Sequence, residues 1–316
     1  MKKLIAAMLF APCLALGQAY PSKPVRIIVP YPAGGIVDLM ARSLSDGLAA
    51  RLGQPVIVES RPGADGSIGT DAVAKADADG HTLLMATLAV AVNPHLSKVP
   101  WHPVNDFEGV AHVGVVANIA AATPSLGVKD MKSFIAYAKS RPGQVNYVNP
   151  GNGSSPHVST ELLQQVNDIK LTSINYKGIP PAIPDFLNGT VPFGFFPFAT
   201  IAPHIRAGKA NAIGIASPAR HKQFPDIPTL GEQGFERSQV NSWYAIAVPK
   251  KTPRAVIERL NADLNAVLAQ EDTIGRVDRI GGSVIAGWSA EQTSKMIADE
   301  YARWAEVIAK AGLSAK

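Results

Sequence analysis

Short apolar runs alternate with longer amphipathic segments along most of the chain. The runs with the length and composition of buried strands include residues 25–31 (VRIIVPY), 55–60 (PVIVES) and 81–87 (HTLLMAT). Helical periodicity marks residues 39–52 and 67–76 between them, and two long helical segments, 253–270 and 289–312, lie near the C-terminus. This alternation predicts an α/β fold with largely parallel sheets.

Chain length and two long strand-like runs predict two domains. Without the first 19 residues, 297 of the 316 residues remain, enough for two domains of ordinary size. One strand that crosses between them is expected in residues 110–124, and the returning strand in residues 239–249. We therefore expect residues 20–123 and 240–316 to form lobe 1 and residues 124–239 to form lobe 2, with the two crossings acting as a hinge.

The first 19 residues have the layout of a secretory signal peptide. Lys2 and Lys3 are followed by an apolar run and then by small residues, and the run is too short for a membrane-spanning helix. We expect cleavage after Ala19, with cleavage after Gly17 as the alternative, and therefore a periplasmic protein. The one cysteine, Cys13, leaves with this segment, which excludes disulfides, a catalytic thiol and cysteine metal ligands from the mature chain.

The charge and histidine patterns argue against several classes of function. Removal of two lysines leaves 28 of the 30 basic residues against 25 acidic ones, so the net charge falls from +5 to +3. Since no dense run of lysine or arginine remains, we expect no nucleic-acid partner. The seven histidines form no HxH or HExxH motif, and no nucleophile or acid–base pair is recognisable. The sequence therefore predicts that the protein has no metal site and no cofactor and is not an enzyme.

The turn between the first strand and the first helix is rich in small residues (VPYPAGGIVDLMAR, residues 29–42). Ala33, Gly34 and Gly35 offer backbone N–H groups ahead of a helix, and such groups bind carboxylate or phosphate together with the helix dipole. A structural turn with Asp38 as the helix N-cap is the alternative interpretation. The spacing differs from the GxGxxG pattern of dinucleotide-binding turns.

A second turn of the same kind lies at residues 151–164 (GNGSSPHVSTELLQ). Pro156 suits the first turn of a helix with Ser155 as its N-cap. The Gly153 amide and the hydroxyls of Ser154 and Ser155 are candidate hydrogen-bond donors, and His157 is either a further donor or an inert residue against the turn. Since the GxSxG motif of hydrolases is not formed, a polar ligand site is favoured over a nucleophilic serine.

A cluster of phenylalanines lies on one predicted strand. Strand alternation places Phe193 and Phe195 on one face and Phe196 and Phe198 on the other. Core packing explains most of them. Phe198 is the candidate for a pocket wall, because ligands of open α/β sheets collect at the C-terminal ends of strands.

Several longer motifs identify the family that the chain resembles. They are VESRPGADGSIGTDAVAKADADGHTLLMAT, NYVNPGNGSSPH, NYKGIPPAIPDFLNG, IAPHIRAGKANAIGIAS and PDIPTLGEQGF. In combination they resemble the periplasmic solute receptors of tripartite tricarboxylate transporters, the Bug or TctC-like family. The resemblance extends from the predicted mature start to the final helix.

The resemblance implies a two-lobed, periplasmic-binding-protein-like fold (type II-like), in which two α/β domains joined by a hinge close on a small carboxylate. One side of the implied site is the turn Tyr31–Asp38, and the other is the turn Gly151–His157. The implied partners are the carboxylate ligand and the membrane permease subunits of a tripartite transporter. For a hinged receptor of this kind we expect a monomer.

The chain departs from the family pattern at four places near the implied site. Val37, Ile179 and Pro197 stand where a hydroxyl residue, a serine and an aspartate are common in the family, and residues 88–94 (LAVAVNP) replace a more polar segment, although Thr87 remains. Each departure exchanges a polar side chain for an apolar one.

These departures lead to an expectation about the ligand. We expect a dicarboxylate or an aromatic acid with an apolar body that packs on Trp243 and Phe198, and not an α-amino acid. Two alternative functions stay open at this point: an exported enzyme that acts on an organic acid, and a receptor that feeds a two-component sensor.

Overall fold

The computed structural model describes residues 20–240 and 242–311, which form two lobes built around two sheets. The strands are β1 (Val25–Val29), β2 (Val56–Ser60), β3 (Thr82–Thr87), β4 (Phe107–Val116), β5 (Asn118–Ala122), β6 (Asn146–Asn149), β7 (Thr172–Asn175), β8 (Phe193–Pro197), β9 (Asn211–Ala216), β10 (Ser242–Pro249) and β11 (Gly282–Val284). The helices are α1 (Ile36–Leu52), α2 (Ser67–Ala74), α3 (Leu88–Leu96), α4 (Met131–Lys139), α5 (Ser155–Asn167), α6 (Ile183–Leu187), α7 (Phe198–Arg206), α8 (Arg254–Leu268), α9 (Glu271–Arg279) and α10 (Ala290–Ala311). In these ranges no helix is both long enough and apolar enough to cross a membrane. The predicted signal peptide, residues 1–19, lies outside the described residues.

Lobe 1 contains a six-stranded sheet of order β11-β4-β10-β3-β1-β2, and lobe 2 a five-stranded sheet of order β7-β6-β8-β5-β9. The predicted two-lobed α/β fold is confirmed. Parallel pairs join β1 to β2 and β3, and β6 to β7 and β8. The remaining pairs, which involve β10, β11 and β5, are antiparallel. The prediction of largely parallel sheets is therefore wrong, because the strands next to the lobe crossings run against their neighbours.

The chain changes sheet twice. β4 ends in the first sheet and β5 begins in the second with only Ala117 between them. This change lies ahead of the boundary predicted between residues 123 and 124, because the strand-like run of residues 110–124 gives no clear sign of the break. The return falls between β9 and β10, an interval that includes the boundary predicted between residues 239 and 240.

Both faces of the lobe 1 sheet are buried, which accounts for its almost continuously apolar strands. Ile27 and Met85 pack on one face with Leu44 of α1. Ile28, the next residue along β1, packs on the opposite face with Trp304 of α10. The period of two along β1 therefore places a helix layer on each side of this sheet.

The lobe 2 sheet is covered in the same way. Phe193 and Phe195 belong to the apolar cluster on one face, where Phe134 of α4 stacks on Phe193 with ring centroids 3.9 Å apart. Phe196 and Phe198 belong to the cluster on the other face. The predicted assignment of the four phenylalanines to two faces is thus confirmed, although Phe198 begins α7 and is not part of β8.

Four helices begin close to the carboxyl end of a strand: α1 follows β1, α5 follows β6, and α3 and α7 follow β3 and β8 without a break. Helix N-termini of both lobes are thereby directed to the region between the sheets. One helix near the C-terminus, α9, is not predicted from the sequence, which suggested a single long helix ahead of the strand β11.

Candidate ligand-binding site

A cavity lined by residues of both lobes lies where these helices begin. The space between its lining residues is about 630 Å³, part of which is open to solvent. Eight of the fourteen residues predicted for the site line it: Tyr31, Gly35, Thr87, Ser154, Ser155, Ile179, Pro197 and Trp243. The other six are not among its lining residues: Ala33, Gly34, Asp38, Gly153, His157 and Phe198.

In the first turn, the amides predicted as ligand donors are used by the turn itself. The Gly34 N–H donates to Asp38 Oδ2 (3.0 Å), and the Gly35 N–H donates to the Pro32 carbonyl (3.3 Å). The N-cap of α1 is Gly35 and not Asp38, so no side chain bonds the first turn from the cap position. The first N–H groups of a helix lack intrahelical partners. Ile36 and Val37, the first two residues of α1, line the cavity.

α3 begins at the same cavity. Its N-cap is Thr87, whose side chain makes no cap hydrogen bond, and its first two residues, Leu88 and Ala89, line the cavity. The Thr87 hydroxyl lies beside Tyr31. Burial raises the pKa of Tyr31 to about 12, and the bond with Thr87 opposes that rise. The Tyr31 hydroxyl therefore keeps its proton at neutral pH and can donate to an anion.

The second turn directs fewer donors to the cavity than the sequence predicts. Ser154, and not Ser155, is the N-cap of α5: its Oγ accepts from the His157 N–H (3.5 Å) and donates to the Gly151 carbonyl (2.6 Å). The Gly153 N–H donates to His157 Nδ1 (3.3 Å). Burial lowers the pKa of His157, which favours the neutral ring. Gly153 and His157 therefore stabilise the turn and do not face the cavity.

Ser155 joins lobe 2 to both lobe crossings. Asn118, the first residue after one crossing, donates from Nδ2 to Ser155 Oγ (2.9 Å) and to Ser242 Oγ (3.0 Å). The hydroxyls of Ser155 and Ser242 are also hydrogen bonded to each other. Since Ser242 opens β10, this buried network fixes the start of α5 relative to both connecting segments.

Five hydroxyl side chains that line the cavity form a continuous group, which we call the hydroxyl row: Tyr31, Thr87, Ser155, Ser242 and Tyr244. Tyr244 is paired with Thr87 across β10 and β3. Burial raises the pKa of Tyr244, and the neighbouring Ser242 opposes that rise, so this hydroxyl also keeps its proton. The row lies where β3 ends and where β10 and α5 begin.

Sequence reasoning missed three polar residues of this region, Asn118, Ser242 and Tyr244. The pairing of β10 with β3 and β4 places Ser242 and Tyr244 here, and Asn118 joins them through its bonds to Ser155 and Ser242. Both links connect positions far apart in the chain. The sequence signal that could have found Ser242 and Tyr244 is their place at the start of the strand that returns to lobe 1.

Neutral groups dominate the electrostatics of the cavity. Of the described residues that line it, none is a lysine, arginine, histidine, aspartate or glutamate. A bound anion would be held by the N-termini of α1, α3 and α5, each of which carries about half a positive charge, and by protonated hydroxyls. Hydrogen bonds to a charged group contribute about 1.5–3 kcal/mol each.

Comparison with known proteins assigns the chain to a family. Residues 40–313 match the model of the tripartite tricarboxylate transporter family receptor. The chain belongs to this receptor family. It is similar to the protein BugT of Bordetella pertussis (strain Tohama I), with 36% identity over 302 residues that cover 95% of this chain and 92% of BugT.

Two solved structures share the fold of this receptor. The periplasmic binding protein BugD has a TM-score of 0.88 and 31% identity, covering 94% of this chain and 100% of that one. An R. palustris protein solved with adipate has a TM-score of 0.88 and 28% identity, again covering 94% of this chain and 100% of its own. The periplasmic-binding-protein fold of the receptor follows from these matches.

The apolar departures from the family pattern lie in the cavity wall of this receptor. Val37 and Leu88 line it from lobe 1, and Ile179 and Pro197 line it from lobe 2. Trp243 lies at the start of β10 and is 4% exposed. Its Nε1–H donates to Glu300 Oε2 (3.3 Å), so the indole offers the cavity its ring and not its donor.

Phe198 is a core residue in this receptor and not a pocket wall. Its ring stacks on His221 with centroids 3.9 Å apart and lies 5.3 Å from the Phe224 centroid. β8 ends at Pro197, and the start of α7 at Phe198 turns this side chain towards Gly281. The prediction that the residue at the end of this strand lines the pocket is therefore displaced by one position, since Pro197 lines the cavity and Phe198 does not.

Proposed function

We propose that this chain is an extracytoplasmic receptor that binds a small carboxylate with an apolar body between its lobes and delivers it to the permease of a tripartite transporter. The observation that carries the proposal is the convergence of three helix N-termini, those of α1, α3 and α5, on one cavity without a charged lining residue. Membership of the receptor family and the adipate bound by a structural neighbour support it. The protein acts as a monomer in the periplasm.

The proposed ligand contacts are of two kinds. The carboxylate bonds to the N–H groups at the start of α1 and to donors of the hydroxyl row. The apolar body packs on the wall that includes Ile179, Pro197 and Trp243. A dicarboxylate and an aromatic acid both fit this description. An α-amino acid does not, because no carboxylate among the described lining residues would pair with its ammonium group.

A thermal-shift screen of ligand-stripped protein tests the proposal. The mature chain is unfolded, washed and refolded, and then titrated with adipate, benzoate, terephthalate, citrate and aspartate. A ligand at 100 times its dissociation constant adds about 2.7 kcal/mol of stability. We expect acids that have an apolar body to raise the unfolding temperature. Benzamide, the uncharged amide that matches benzoate, should leave it unchanged.

Two outcomes would contradict the proposal. Selective binding of aspartate would reject the apolar body while leaving a carboxylate receptor. If no carboxylate in the panel raises the unfolding temperature, the receptor function is rejected. Recovery of the bound acid in chemically unchanged form separates the receptor from the alternative of an exported enzyme.

A further inference from the structure

We propose that the ligand carries one negative charge only, as a single carboxylate joined to an uncharged apolar body. This inference rests on the proposed function, because it concerns the same cavity. It narrows the ligand class from acids with an apolar body to monocarboxylates, and it is argued from the positions of the hydrogen-bond donors.

The donors of the cavity are gathered at one end. Tyr31 leads into α1 and lies beside Thr87, the N-cap of α3. Tyr244 is paired with Thr87 in the sheet, and Ser242 connects it to Ser155, the first residue of α5. The hydroxyl row therefore ties the N-termini of all three helices together. Their partial positive charges act on one place, which suits one carboxylate.

Away from the starts of α1 and α3, the remaining described residues of the lining have no side-chain donor available for a second carboxylate. They are Pro32, Pro150, Pro156, Gly178, Ile179, Pro180 and Pro197, together with Ser154 and Trp243. The Ser154 hydroxyl is bonded inside its own turn, and the Trp243 N–H is bonded to Glu300. The side chains that could have offered a donor on this wall are thus already paired.

Backbone donors are equally scarce on this wall. Five of its residues are prolines, which have no N–H. The Gly178 N–H donates to the Pro150 carbonyl (3.0 Å). At the start of α5, Pro156 has no N–H and the next amide is capped by Ser154. A second carboxylate placed here would lose its water without gaining hydrogen bonds, which is strongly unfavourable for a charge.

Isothermal titration with matched pairs of acids tests the inference. Hexanoate is compared with adipate, and 4-methylbenzoate with terephthalate, so that each pair exchanges a methyl group for a carboxylate at the far end. In at least one pair, we expect the monoacid to bind at least about tenfold more tightly than the diacid, because burying an unpaired charge is costly.

A designed pair of variants extends the test to the wall itself. Ile179→Lys supplies a cation to the apolar wall and should raise the ratio of diacid to monoacid affinity by at least about tenfold. Ile183→Lys adds the same charge to a half-buried residue of the same apolar cluster that does not line the cavity. This control should leave the ratio unchanged.

The outcomes separate the inference from the proposed function. Equal or tighter binding of both diacids to the unmodified protein overturns the inference and retains the carboxylate receptor. An Ile179→Lys protein that folds and binds but keeps the original ratio also overturns it, since the wall would then not contact the ligand body. Failure of every acid to bind overturns the proposed function, and the inference with it.

Discussion

His112 is a buried titratable residue of lobe 1 that couples stability to pH. It lies on β4, is 4% exposed and meets the Trp288 ring edge-on at a centroid distance of 4.8 Å. Burial lowers the pKa of His112 from its usual 6.5 to about 4. Between these two values the unfolded chain binds a proton that the folded chain does not. The free energy of unfolding therefore falls as the pH drops from 6.5 to 4.

The contribution of His112 to this loss is about 3 kcal/mol over the full window, since one pKa unit corresponds to about 1.4 kcal/mol. Replacement by a side chain that cannot titrate removes the effect. We expect His112→Leu to lose less stability than the unmodified protein between pH 7 and pH 4.5, as measured by urea unfolding at several pH values. Equal pH slopes for the two proteins would show that another group is responsible.

At the scale of elements, the turn ahead of α5 brings the lobes into close approach. Gly153 has φ of 73°, and a Cβ added there would overlap Oδ1 of Asn93 in α3. We expect Gly153→Ala to weaken ligand binding at least about tenfold, because it lowers the population of the closed form that binds. Isothermal titration with the ligand found in the screen measures this effect.

Gly208 provides the matched control for Gly153. It has φ of 68°, and an added Cβ would meet no atom within 4 Å. Gly208→Ala therefore carries the same left-handed backbone cost, about 1–2 kcal/mol, without the clash between lobes. Similar affinities for Gly153→Ala and Gly208→Ala would contradict the proposed role of this close approach.

The sequence predicts elements better than it predicts the donors between them. The helix starts after β1 and β6 and the two faces of the phenylalanine cluster follow from apolar periodicity and small-residue turns, which are local signals. Gly34 and Gly153 were predicted as ligand donors, but each amide donates to a side chain of the helix that follows its turn. That choice depends on the exact turn conformation. The hydroxyl row depends on strand pairing between distant positions, for which the sequence has no local mark.

At the scale of the whole molecule, the two lobes are in contact beside the cavity. Val158 and Leu162 of α5, in lobe 2, belong to the same buried apolar cluster as Val92 and Trp243 of lobe 1. On the surface, Asn152 Nδ2 of lobe 2 donates to Asp65 Oδ2 of lobe 1 (3.0 Å). These contacts form only when the lobes are close together, so the arrangement corresponds to the closed form of a hinged receptor.

Asn118 is the residue that connects closure to the hinge. Its amide holds Ser155 of the site helix and Ser242 of the returning strand, and it lies directly after the first crossing. Asn118→Ala removes both bonds from a fully buried position. We expect a loss of about 1–3 kcal/mol in the free energy of unfolding and a larger radius of gyration of the ligand-free protein in solution scattering.

The larger radius distinguishes a hinge function from simple destabilisation. A variant that is only less stable keeps the closed dimensions until it unfolds. Loss of the Asn118 hydrogen bonds instead lets the lobes separate while each lobe stays folded. Asn146→Ala is the control. Asn146 is half-buried on β6, two strands away from β5 in the sheet, and its side chain donates to the Thr190 carbonyl (3.1 Å). An unchanged radius for Asn118→Ala would mean that the apolar contacts of α5 alone hold the lobes together.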